Sequence, residues 1–267
     1  MRIAVTGASG NVGARVVSVL AASDAHEVVP LSRRGPVRAD YDDPASLRTA
    51  LAGVDTLVFV SSDGEAARMM THHANVVRAV VEAEVAHVVY LSGLDADLAS
   101  PFCYAYTNGT TEGLLARTGC AVSVARASLF TEFFGGFLER ARETGELRLP
   151  AGDARVSLVS RADVARCLAA LALRPPTGRP HDVTGPAALS MSEVAAVAGR
   201  AWDRPVSYIA ADEAAFVAEL ALARESPWWT YAYASLFASI REGRWAAVSD
   251  EVRALTGRAP ASLASAL

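Results

Sequence analysis

"TGASGNVG", residues 6–13, is the stretch on which the fold turns. Three glycines, Gly7, Gly10 and Gly13, stand between "RIAV", a short β-branched run, and "ARVVSVL", whose apolar residues recur at helical spacing. A strand that passes straight into a helix needs a tight turn, which glycine permits. The same spacing lets the backbone approach a pyrophosphate and lets the helix pack near the strand. Backbone N–H groups at the helix start, with the positive end of its dipole, would hold the phosphates. Gly7, Ser9, Gly10, Asn11, Val12 and Gly13 are therefore the expected dinucleotide cradle.

The pattern around this turn repeats. "HEVVPLSRR" (26–34) reads as a second strand and completes a βαβ unit. "TLVFVSS" (56–62) precedes a helix from about residue 65 to 84, "HVVYLSG" (87–93) precedes a helix containing "GTTEGLLARTG" (109–119), and "AVSVARASL" (121–129) follows. Strands apolar along most of their length, alternating with helices, predict an α/β fold: a Rossmann-type, doubly wound parallel sheet covered on both faces. After residue 130 the composition changes, first to "FTEFFGGFLERARETGELRLP" and later to "SPWWTYAYASLFASIREGRW" (226–245). We expect a nucleotide-binding domain over 1–150, joined by a strand and helix from about 156–185. A smaller α+β C-terminal lobe over 186–267 would close on the carboxyl edge of the sheet. "RPPTGRP" (174–180) reads as a surface turn.

Composition narrows the function. The 267 residues, 52% hydrophobic, can bury a sizeable core. Apolar runs fall short of the roughly 20 residues a membrane helix needs, and the N-terminus reads as a strand rather than an export signal. The net charge of −4 is scattered, with no basic stripe for nucleic acid. Cys103, Cys120 and Cys167 are far apart and form no CxxC pair, which fits buried thiols in a reducing, cytoplasmic setting better than a disulfide framework or a metal site. All 25 basic side chains are arginine; lysine is absent. No mechanism here can use a lysine amine.

The exit of the second strand selects the dinucleotide. NAD sites commonly place an acidic residue there for the ribose 2′-hydroxyl, whereas arginine accommodates a 2′-phosphate. Ser32, Arg33 and Arg34 occupy it, so NADP(H) is the expected cofactor. Asp40 and Tyr41 either flank the adenine or belong to a turn and helix cap around Asp43 and Pro44. Ser61 and Ser62, at the exit of the next strand, are further candidates.

The order TGASGNVG, LSRR, ADYDDPASLRTALAGVDTLVFVSS, HVVYLSG, TGCAVSVARASLF, VSLVSRADVARCLAALAL and HDVTGPAALSMSEVAAVAG resembles the NmrA-like branch of the atypical short-chain dehydrogenase/reductases. Within that branch it is most similar to the bacterial NAD(P)H:quinone oxidoreductase group. The resemblance implies a Rossmann-type domain, a small C-terminal lobe and a cleft between them. It implies either a reductase or a protein that senses the dinucleotide without turning it over. Typical short-chain reductases add a Ser, Tyr and Lys set: serine orients the carbonyl, tyrosine donates the proton, and lysine lowers the tyrosine pKa. Ser92 occupies the serine-like position, and Tyr104 and Tyr106 are the candidate acids. Their i+4 partners are Asn108 and Thr110, not lysine.

A tyrosine with no cation beside it keeps a pKa of about 10 and is a sluggish acid. How much that matters depends on the acceptor. A reduced simple ketone is an alkoxide, for which water's pKa of about 15.7 is a guide. A reduced quinone is a phenolate-like anion some five to six units less basic, roughly 8 kcal/mol easier to leave unprotonated. The expected activity is thus NADPH-dependent hydride transfer to a quinone or similar conjugated carbonyl without a Tyr-Lys donor pair. The alternatives are a non-catalytic NADP(H) sensor and a secondary-metabolism reductase using Tyr104 or Tyr106.

Other candidates follow. Arg126 either polarises an acceptor oxygen from the cleft or forms a structural ion pair. His72 and His73 are adjacent and diverge on a helix, so they cannot form an i, i+4 metal pair, and no metal is expected. Asp163 reads as a capping or ion-pairing residue, with Ser160 as N-cap. "FTEFFGGF" and "PWWTYAYASLF" either line a flat aromatic acceptor pocket, with Gly135 and Gly136 allowing a mobile lid, or form lobe core or a homodimer face.

Overall fold

A computed structural model describes all 267 residues. Seven parallel strands form the main sheet: β1 (Arg2–Val5), β2 (Glu27–Ser32), β3 (Val37–Arg38), β4 (Thr56–Val60), β5 (His87–Gly93), β6 (Ala121–Ala127) and β9 (Pro180–Val183). Their order is β3-β2-β1-β4-β5-β6-β9, so the winding reverses between β1 and β4. That reversal opens a crevice at the carboxyl edge, where ligands of such sheets bind.

The strands read as nearly continuous apolar runs because both faces are covered. Ile3, Val5, Val58, Val89, Leu91, Ala125 and Ala127 pack on helices α1 (Gly13–Leu20) and α6 (Arg161–Ala172). Ala4, Leu57, Phe59, Val88, Tyr90 and Val124 pack on α2 (Pro44–Leu51), α3 (Ala66–Glu82) and α4 (Cys103–Leu115). Alternate residues of one strand thus serve opposite layers, as a period of two requires.

A third core holds the lobe: α5 (Thr131–Thr144), β7 (Glu146–Leu149), β8 (Arg155–Val156), β10 (Leu189–Ser190), α7 (Met191–Ala201), β11 (Ser207–Ala210), α8 (Glu213–Leu222) and α9 (Pro227–Arg241). β7 pairs in parallel with β11, and β8 pairs antiparallel with β10. Residues 131–149, expected in the sheet domain, therefore belong to the lobe, because their apolar face meets α7 and α9 rather than the sheet. At the other end, α10 (Glu251–Thr256) returns to the sheet domain, where Val252 and Leu255 join the α1/α6 layer. The chain thus crosses between the two units more often than the boundaries 1–150 and 186–267 allow.

Buried polar links brace this arrangement. Asp95, after β5, accepts from the hydroxyls of Ser100 and Ser239 on α9. Ser239 in turn accepts from Trp245 Nε1 at 2.8 Å. Ser160 caps α6 by accepting from the Asp163 amide at 3.0 Å, and Asp163 accepts from the Ala261 amide at 2.8 Å. The three cysteines are free. No helix is long and apolar enough to cross a membrane.

Candidate active site

The turn after β1 is built as its glycines dictate. Gly7 sits at φ +61°, a left-handed conformation that side chains resist. A Cβ on Gly13 would lie 2.2 Å from the Gly7 carbonyl oxygen, so α1 starts where only glycine fits. The turn is closed by the Gly10 amide donating to the Gly7 carbonyl at 2.8 Å. The amides of Ser9, Asn11, Val12 and Gly13 make no hydrogen bond within the chain, and no side chain caps the helix. Four unspent donors at a helix start form a cradle for an anion.

This cradle opens into a cleft of ≈ 780 Å³ along the carboxyl edge of the sheet. Ser32 and Arg33 line one end, with Asp40, Tyr41, Ser61 and Ser62 nearby. Arg33 has no carboxylate within ion-pair range, whereas Arg38 is held by Asp43 at 2.8 Å. Arg34 does not line the cleft; it is exposed on the turn after β2. The Tyr41 hydroxyl donates to the Val60 carbonyl at 2.6 Å, and burial raises its pKa. Asp43 does cap α2, accepting from the Ser46 amide at 3.2 Å, and Asp40 shares in that turn, its Oδ1 accepting from the Asp42 amide at 3.1 Å; both Asp40 and Tyr41 also line the cleft.

Reading the sequence missed the wall beside them. His72 Nε2 lies 2.8 Å from Asp42 Oδ1, and its Nδ1 lies 3.0 Å from Ser62 Oγ. Arg68 pairs with the other Asp42 oxygen at 2.5 Å. Hydrogen bonds from Arg68 and His72 hold the Asp42 carboxyl below the usual range. The signal was present: Arg68, Met69 and His72 share one face of α3. His73, about 100° further round the helix, points into the core, where its Nδ1 meets Thr111 Oγ1 at 2.8 Å.

At the far end the expected catalytic set divides. Ser92 lines the cleft, but its hydroxyl donates to Glu112 Oε1 at 2.6 Å. Arg126 takes the second of its two expected roles, which corrects its place among the catalytic candidates: its Nε and Nη2 grip Glu112 at 3.0 and 2.6 Å, and it does not line the cleft. The pairing follows from register, since Ser92 lies opposite Arg126 on adjacent strands, with Glu112 of α4 above both. Tyr106 is a second correction. Two positions along α4 from Tyr104, it faces outward and is 53% exposed. Tyr104 does face the cleft, where it donates to the Gly64 carbonyl at 2.6 Å, and burial pushes its pKa up to about 12. Asn108, one turn on, also lines the cleft. Its Oδ1 accepts from Tyr90 at 3.0 Å, while its Nδ2 makes no hydrogen bond within the chain.

The aromatic segments split by position. Phe102, Phe130, Phe133, Trp229, Tyr233 and Trp245 line the cleft, and Trp229 stacks on Tyr233 at 5.8 Å. Phe134, Phe216 and Phe237 are lobe core. Gly135 and Gly136 lie inside α5, so the expected lid is a helix. Arg161, also missed, lines this end of the cleft, with its guanidinium 5.3 Å over the Phe130 ring.

Comparison with known proteins adds four findings. A family model described as the NmrA-like family matches residues 1–226. Quinone oxidoreductase 2 of Escherichia coli is 30% identical over 233 residues, covering 82% of this chain and 80% of that protein. An NAD(P)H azoreductase of Xenophilus azovorans is 31% identical over 221 residues, covering 78% and 76%. Among solved structures, an NADPH-dependent quinone oxidoreductase from Escherichia coli complexed with NADPH superposes with a TM-score of 0.92 at 28% identity, covering 99% of this chain and 98% of that one.

Proposed function

The chain belongs to the NmrA-like family, and from that membership we propose that it is an NADPH-dependent oxidoreductase passing hydride to a quinone or similarly conjugated acceptor. The relatives named quinone oxidoreductase and azoreductase support the reaction class. The observation that carries the choice of acceptor is the cleft itself: an anion cradle, an aromatic floor at the far end, and no cation paired with Tyr104 or Tyr233, the tyrosines of that end.

The residues present fit the dinucleotide. The unspent amides of Ser9, Asn11, Val12 and Gly13 would hold the pyrophosphate, and the side chain that Gly13 lacks would fill its place. Arg33, free of carboxylates, would take the 2′-phosphate, and Asp40 and Tyr41 would flank the adenine. NADPH, when bound, supplies the hydride.

The protein's own task is to bind, orient and exclude water. The aromatic floor would hold a flat acceptor by stacking. Asn108, its oxygen engaged by Tyr90, would turn its Nδ2 donors toward the acceptor oxygen on which charge develops. None of the three cleft tyrosines is a tuned acid, since burial raises Tyr41, Tyr104 and Tyr233 alike. Ser92 has its proton engaged by Glu112, which Arg126 grips. With that hydride, one proton from solvent would complete a hydroquinone, so the chain itself need hold no acid at the acceptor. The test is NADPH oxidation with a panel of quinones and simple ketones. Turnover of the quinones alone is expected; tight NADPH binding with no acceptor reduced would mean a sensor instead.

A further inference from the structure

Three arginines line the cleft: Arg33, Arg68 and Arg161. Arg33 is accounted for by the 2′-phosphate, and Arg68 is neutralised by Asp42. Arg161 has neither a role nor a partner. Its guanidinium makes no hydrogen bond or ion pair, and its contact is the face of Phe130. Glu132 accepts from the Arg161 backbone amide with both carboxylate oxygens, each at 3.1 Å, and makes no ion pair with the Arg161 side chain. The backbone here is fixed: Val159 donates to the Leu129 carbonyl at 3.0 Å and accepts from the Thr131 amide at 2.9 Å. Arg161 is thus held against the segment that carries Phe130 and Phe133 into the cleft.

Position separates it from the 2′-phosphate site. Arg33 follows β2 and Phe130 follows β6, four strand spacings apart, or about 19 Å. A free guanidinium stacked on an aromatic ring, beside an aromatic floor, is built to meet an oxyanion attached to a flat ligand.

We propose that Arg161 is an anion-recognition group of the acceptor pocket, selecting conjugated ring systems that carry a carboxylate, sulfonate or phosphate. This rests on the reductase reading above. The same chemistry could come from the pyrophosphate of the cofactor, but that group has the four loop amides as donors.

The test compares wild type, Arg161→Gln and Arg161→Lys on menadione and 1,4-naphthoquinone-2-sulfonate, with NADPH Kd measured in parallel. Each quinone's intrinsic reactivity cancels in its variant to wild-type ratio. In Arg161→Gln, kcat/KM for the sulfonate should fall roughly 10- to 100-fold more than for menadione, mostly through KM. Arg161→Lys should recover part of that difference, and added salt should raise the sulfonate KM of wild type more than that of Arg161→Gln. Equal losses on both quinones overturn the assignment, and so does a rise in NADPH Kd that accounts for the loss. Should wild type reduce neither quinone, the reductase reading fails by itself. Quenching of cleft tryptophan fluorescence by the sulfonate, with NADP⁺ present, then decides: weaker binding to Arg161→Gln than to wild type upholds the proposal, and equal binding overturns it.

Discussion

Replacing Gly13 by alanine tests the cradle at its tightest point. The new Cβ would stand 2.2 Å from the Gly7 oxygen, 2.6 Å from its carbonyl carbon and 2.9 Å from the Thr6 oxygen. Ordinary carbon–oxygen contacts begin near about 3.3 Å, so the loop must retreat by about 1 Å. All three neighbours are backbone, and no flexible side chain can absorb the change. The effect on stability is modest: overpacking costs about 1–3 kcal/mol, offset by about 1 kcal/mol of improved helix propensity. Binding suffers more. A 1 Å retreat misaligns the loop amides, and losing two charge-assisted hydrogen bonds at about 1.5–3 kcal/mol each raises the NADPH Kd at least about 100-fold. Fluorescence titration with NADPH measures the affinity, and denaturant unfolding measures the fold. Gly136→Ala, in open space within α5, is the control and should gain about 1 kcal/mol of stability with Kd unchanged. A folded Gly13→Ala protein with NADPH affinity within twofold of wild type would refute the cradle.

Further expectations concern charge. Arg33→Ala should raise the NADPH Kd by roughly 10- to 100-fold and leave NADH nearly unchanged, while Arg34→Ala, off the cleft, should do little; equal effects in competing titrations would place the phosphate elsewhere. Burial holds the His73 imidazole at about 4, whereas the unfolded chain titrates near about 6.5. Above that value both states are neutral and stability is intact. As pH falls toward 4 the unfolded state gains the proton first, and up to about 3 kcal/mol is lost. Denaturant midpoints at several pH values should be flatter in His73→Asn, and an unaltered slope would show that His73 carries no part of it.

The sheet was legible because its signals are local and periodic. "RIAV", "TLVFV" and "HVVYL" carry unbroken apolar runs, and the glycine spacing at 7, 10 and 13 follows from steric demands on one turn. The lobe was less legible. Residues 131–149 join it through pairing of β7 with β11, some 60 positions away, and no local pattern announces that partner. The site divides in the same manner. Residues on the first turn and at strand exits, Arg34 excepted, line the cleft, because the carboxyl edge gathers them. Arg126 was left between two roles because the ion pair it makes depends on Glu112, on a third element. Tyr106 could have been set aside on helical spacing alone, and His72 found by it. Arg161 carries no sequence signal beyond following a capping serine; what marks it is the carboxylate it lacks.

The central claim is that the cleft transfers hydride without supplying the proton. The most direct measurement is steady-state turnover of a neutral quinone by Tyr104→Phe at saturating NADPH, with Tyr106→Phe beside it. Losses of about threefold or less in both are expected if solvent protonates the product; a several-hundredfold fall in kcat for either, with the fold and NADPH affinity retained, would contradict the claim.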